Sequence, residues 1–152
     1  YLRRLYPIPS VLLQCSPLLK KNGLSLYGTK FAQFIGTSTV SLFPNAISTD
    51  CLGYIDKVTV VGTGSRRGVR VEGWAFEQST GRIPDGVLFV RNNKIIGVGF
   101  PGRLRLDVDK VYPGFLYSGW LGHARLPADE KFETYVVVNN DKNLCKLTDR
   151  TQ

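Results

Sequence analysis

Asp107 and Asp109 stand two residues apart, the spacing at which a pair of carboxylates shares a divalent cation, as in nucleotide-sugar transferases. On a strand, side chains at i and i+2 point to one side, so that geometry is open to them. Against it, a lone D-x-D is common, and the rest of an oxygen shell has no visible source. His123 is the single histidine, so any serine or cysteine mechanism with an imidazole base must run through it. Its surroundings, "SGWLGHARLP", read as a turn entering a strand, and no nucleophile is marked nearby. "VTVVGTGSRRG" places Gly62 and Gly64 after a strand, but Arg67 stands where a dinucleotide fingerprint needs its third glycine, and a strand follows instead of a helix. The segment reads as a basic hairpin loop. No catalytic residue, metal or cofactor is expected in this chain.

Aromatic side chains offer a different chemistry. Trp74, Tyr112, Phe115, Tyr117 and Trp120 supply ring faces on which sugars stack, with Glu72, Arg105 and Asp107 as polar neighbours. The competing reading is that these rings are core, since each buries about 150–250 Å². Exposure of Trp74 or Trp120 in a concavity decides between the two. The carbohydrate-binding candidates are therefore Trp74, Arg105, Asp107, Tyr112 and Trp120.

The elements that must hold these residues are short strands. "YIDKVTVV" and "GVRVEGWAF" alternate; "GVLFV" and "KIIGVGF" flank "RNNK"; "GHARL" follows Gly119; "TYVVV" and "LCKL" flank "NNDKN". Asn92-Asn93 suits a two-residue hairpin, because asparagine tolerates the positive φ such turns require. No long helical period separates the strands, so the expectation is an all-β fold, an antiparallel β-sandwich of about seven strands, immunoglobulin-like or jelly-roll-like. Ahead of it, "VLLQC" after Ser10 and "SPLLKKNG", with Pro17 at the first helical position and Gly23 beyond the last turn, read as short helices. The expected organisation is a helical segment over 1–30, a linker or edge strand over 31–49, and a sandwich over 50–149.

The 152 residues carry 20 Lys and Arg against 12 Asp and Glu, a net charge of +8, with 43% hydrophobic and 21% charged residues, the composition of a folded domain. Residues 1–50 hold five bases against one acid. Arg3, Arg4, Lys20 and Lys21 are thus candidates to meet anionic lipid headgroups. Nucleic acid, which the charge alone permits, ranks last and is not an expected partner. Cys15, Cys51 and Cys145 match no metal or redox spacing; buried thiols are the reading, with a disulfide between two of them left open. No apolar run is long enough to span a membrane, and the chain, opening on Tyr1 with no methionine anywhere, reads as part of something longer.

Several of these motifs recur together. Gly53–Asp56 (G-x-I-D), Gly73–Ala75 (G-W-A), Pro84–Val87, Arg105–Val108 followed by Tyr112-Pro113, Ser118–Trp120 and Gly122-His123 stand in an order that resembles a β-sandwich module of bacterial envelope and glycosyltransferase-associated proteins. Leu106 departs from that pattern, which prefers proline. The segment "LRRLYPIPSVLLQCSPLLKKNGLSLYG" is similar to the stretch that follows the last transmembrane helix in polytopic bacterial membrane proteins, including membrane-embedded glycosyltransferases of the lipid-phosphate-sugar type. The resemblance implies a soluble, non-catalytic C-terminal domain outside the cytoplasm, partnered by the membrane portion of its parent and binding or positioning glycan. The alternative is a structural or protein-interaction domain with no ligand. Arg3 and Arg4 pull toward the cytoplasmic side, where bases next to a span concentrate.

Overall fold

The computed structural model of this protein describes residues 30–45, 47–127, 130–140 and 142–149. The helices expected over 1–30, with Arg3, Arg4, Lys20, Lys21 and Cys15, lie outside the described residues. The chain divides into two units, with the boundary between Phe34 and Ile35. Of the first unit, Lys30–Phe34 shows a 3-10 turn at Ala32–Phe34 and an edge-to-face contact between Phe31 and Phe34, with ring centroids 5.9 Å apart.

The second unit is all-β, with seven strands where alternation places them. They are β1 (Leu52–Val61), β2 (Gly68–Phe76), β3 (Gly86–Arg91), β4 (Lys94–Arg103), β5 (Gly119–Arg125), β6 (Glu133–Val138) and β7 (Asn143–Asp149). Two short helices accompany them, α1 (Thr39–Leu42) ahead of β1 and α2 (Leu106–Val111) between β4 and β5. Asn92 and Asn93 sit at φ of 50° and 60° and turn β3 into β4 as the hairpin rule requires. Between β1 and β2 the glycine-rich loop makes a 3-10 turn, Gly64–Arg66, instead of a phosphate cradle.

The expected sandwich is not what the strands build. Their order, β1-β2-β5-β4-β3-β6-β7, closes on itself as a barrel. Strands β3, β4 and β5 are consecutive neighbours, β2 lies beside β5 and β6 beside β3, so two Greek-key arrangements share three strands. All neighbours are antiparallel except the closing pair. There β1 and β7 run parallel and meet at two register positions, Tyr54↔Thr148 and Ile55↔Asp149. A disulfide joins Cys51 to Cys145, 94 residues apart in sequence with Cα atoms 6.2 Å apart, at the same offset as those two pairs. The bond and the short parallel ladder together form one seam. Register shifts at Ile55/Lys57, Phe89/Val90 and Pro101/Arg103 mark bulges, the irregularities that bend strands enough for closure.

One continuous core fills the barrel: Ile55, Val69, Val71, Ala75, Val87, Phe89, Trp120, Ala124, Leu126, Val136, Val138, Cys145 and Leu147. Every second residue of a strand contributes, which is why the alternation was readable. Gly122 faces this core from β5; a Cβ there would come within 2.7 Å of Phe89 Cζ and 2.6 Å of the Gly99 Cα. A second cluster lies on the opposite side of β2. Trp74, Phe76 and Val108 of α2 are buried together, with Leu52, Tyr54, Ile83 and Phe115 packed against them.

Residues 35–45 and 47–49 carry α1 and two isolated β-bridges, Ser38↔Lys94 and Ser48↔Cys145. Backbone bonds from Gly36 N to Ile95 O (2.8 Å), Thr39 N to Asn93 O (2.9 Å) and Ser48 N to Leu144 O (2.8 Å) stitch them across the starts of β4 and β7. No helix among the described residues is long and apolar enough to cross a membrane.

Candidate functional site

At the bulge in β1, where Ile55 gives way to Lys57, Asp56 and Lys57 come up beside Glu72 and Gly73 of β2. The register carries Gly73 to Trp120 of β5, and β5 in turn lays Gly119 against Arg103 at the end of β4. The chain then runs through Leu104 and Arg105 into α2. These residues line an open groove of about 510 Å³.

Arg105 is the fixed point of this groove. Its Nε and Nη2 donate to Asp107 Oδ1 and Oδ2 at 2.9 and 2.6 Å, and Nη1 donates to Asp56 Oδ2 at 2.6 Å. The bidentate hydrogen bond from Arg105 holds the Asp107 carboxyl well below the usual carboxylate range, and the two acids lock the guanidinium in its charged form. Gly119 makes room for this arrangement, since a Cβ there would lie 2.7 Å from Arg105 Cγ. Glu72 is shared more loosely, bonded to Arg70 and 4.0 Å from Arg103 Nη1. Lys57 forms no ion pair among the described residues. The groove therefore presents two cations, Lys57 and Arg103, whose charge is not consumed by close pairs, beside a carboxylate, Glu72.

Of the sequence candidates, Arg105 and Trp120 line the groove and Asp107 braces it, while Trp74 and Tyr112 lie apart from it. Trp74 is 3% exposed and sits among Tyr54, Phe76 and Tyr112, with centroids 5.7–5.9 Å away. Trp120 is 1% exposed and packs on Phe89, centroids 6.2 Å apart, with its Nε1 lacking an acceptor among the described residues. Neither indole offers an open face. Phe76 stacks on Phe115 at 3.8 Å, and Tyr112, 36% exposed, caps the same cluster. The loop after Trp74 shares that face through Ile83, yet its polar groups are occupied structurally: Ser79 N donates to Asp50 at 2.8 Å, and buried Glu77 accepts from Thr80 Oγ1 at 2.7 Å and Asn139 N at 3.1 Å.

The paired carboxylates are corrected by the helix. Asp107 and Asp109 lie in α2, not on a strand, so two residues apart turns them about 200° away from each other. Asp107 goes to Arg105 and Asp109 accepts from Gly114 N at 2.9 Å. Among the described residues no group of three His, Cys, Asp or Glu is placed to hold a metal ion. His123 projects from β5 between Arg70 of β2 and Val98 of β4, and desolvation, then Arg70, lower its pKa below 6.5.

Asp56, Lys57 and Arg103 are groove residues that sequence reasoning passed over. Asp56 had a signal, as the last residue of the G-x-I-D motif. Lys57 and Arg103 had none, because only the register brings them together. Compared with known proteins, the chain matches no family model, and no curated protein or solved structure gives a significant match.

Proposed function

We propose that this protein is a non-catalytic binding domain working outside the cytoplasm, attached to a membrane protein, and that its groove receives a saccharide bearing an acidic group. The observation that carries this reading is the pair Lys57 and Arg103 beside Glu72, above Trp120: two available cations for a carboxylate or phosphate, and a carboxylate to accept from hydroxyls. Arg105, already saturated by Asp56 and Asp107, supplies rigidity instead of a contact. The Cys51–Cys145 bridge supports the extracytoplasmic setting, since such bonds persist in oxidising compartments. The tail of a membrane-embedded glycosyltransferase, to which the motif order is similar, is the parent we infer.

Trp120 lines the groove, so its fluorescence reports occupancy. Titration with a hexuronic acid oligosaccharide is expected to give a saturable change, about tenfold weaker with the neutral hexose counterpart and about tenfold weaker in Arg103→Ala. No saturable change with either sugar, or an unaltered response in Arg103→Ala, removes the reading. A second reading, a protein-interaction domain without a sugar ligand, is favoured by the burial of both indoles. It expects both sugars to leave the fluorescence unchanged.

A further inference from the structure

Past Ile55, β1 carries an apolar run that β2 covers on one side. Among the described residues, which end at Asp149, β7 pairs with β1 at Tyr54 and Ile55, and β2 alone lies beside Lys57–Val61. From Lys57 to Val61 one edge of the strand therefore has no described segment against it, and alternate backbone amides and carbonyls along that edge face outward. The side chains are equally unusual. Val58 and Val60 stand opposite Val71 and Val69 in the register, on the face that elsewhere forms the core. Val71 and Val69 are 0% and 5% exposed, but Val58 and Val60 are 47% and 54% exposed, and Val61 is 37% exposed. The apolar layer of the barrel thus runs out into solvent along a β-branched strand.

We propose that Lys57–Val61 is a strand-addition site for an extended acidic segment of another protein, which lies along β1 beside its exposed valines. Main-chain bonds would bind it, and alternate apolar residues would cover Val58 and Val60, the two ingredients of β-augmentation. The acidic character follows from charge. Between Lys57 and Val71 there are four bases, Lys57, Arg66, Arg67 and Arg70, and no acid. Only Arg70 is paired, to Glu72, and Lys57, Arg66 and Arg67 form no ion pair among the described residues. Those same uncompensated cations disfavour a second copy of this chain, whose matching edge would bring like charges together.

The probe is the peptide Ac-EVTVEVTVE-NH2, titrated into the ¹⁵N-labelled chain with its disulfide intact. Expected are shifts and slowed hydrogen exchange at alternate amides from Lys57 to Val61, with about tenfold weaker binding in Arg66→Glu/Arg67→Glu. Val58→Gln/Val60→Gln, which removes the apolar cover without adding charge, is expected to weaken binding at least as much. Arg103→Ala is expected to bind the peptide normally, which separates this site from the groove. The proposal is overturned by protection that fails to appear at these amides, by equal binding of Ac-KVTVKVTVK-NH2, or by concentration-dependent protection of the same edge without peptide.

Discussion

Removal of the Cys51–Cys145 bridge is the perturbation whose size follows most directly from the fold. The bond closes a loop of residues 94 apart. Chain entropy for a loop of that length contributes about 4.7 kcal/mol at 25 °C, against a total of roughly 5–15 kcal/mol for a domain of this size. Among the described residues the parallel ladder beside it has two register pairs, and the bond is the covalent tie across that seam. Cys51→Ala/Cys145→Ala is therefore expected to lower Tm by on the order of 15–20 °C, by circular dichroism, and wild type with a phosphine reductant is expected to show a similar loss. Agreement between the two matters, because Cys145 is buried and its truncation alone leaves a small void. Two findings would refute the reasoning: thiol titration of the native protein that recovers both cysteines free, or a loss below about 1 kcal/mol in both experiments.

Gly122→Ala drives a Cβ toward the Phe89 ring and the Gly99 backbone, so urea denaturation should show a loss of about 1–3 kcal/mol; an unchanged midpoint would mean the core is looser than its geometry. Stability should also fall in acid by two routes. His123 has a lowered pKa, so the unfolded chain takes up its proton first, and stability drops as pH descends from about 6.5; His123→Asn should flatten that leg of a Tm-against-pH curve. Asp107, held down by Arg105, and Glu133, held down by Lys146 and then Tyr135, contribute stability present above 3.8 and 4.5 and lost as pH falls through their lower folded values. At the alkaline end, burial and then the bond to Glu133 push Tyr135 up to about 12, so its contribution fades as pH rises from 10 toward 12.

Local pattern carried the strands but not their partners. β2 could be read because Val69, Val71 and Ala75 alternate with Arg70, Glu72 and Trp74, and the turn at Asn92-Asn93 because few residues adopt that φ. A sandwich and a barrel need the same alternation. They differ in the pairings β2–β5, β3–β6 and β1–β7, which join residues distant in sequence and leave no local trace. Helix α2 was missed because six residues show no helical period. Its signs were polar: Asp107 and Asp109 in the first turn, Lys110 in the last and Pro113 beyond. The two tryptophans were legible as large rings on strands, but which side of each was covered depended on α2 and on Phe89. Cys51 and Cys145 could not be matched from an odd count of three.

The placement of β7 beside β1 also sets an order of assembly. Hairpins β3–β4 and β6–β7 need only local chain, whereas the first strand of the barrel waits for the last. A growing polypeptide holds β1 and β6 with unsatisfied edges until nearly the whole domain has emerged. Thiol oxidation can then act as a latch on a barrel that has already come round, and a chain cut short of Asn143 has nothing to latch.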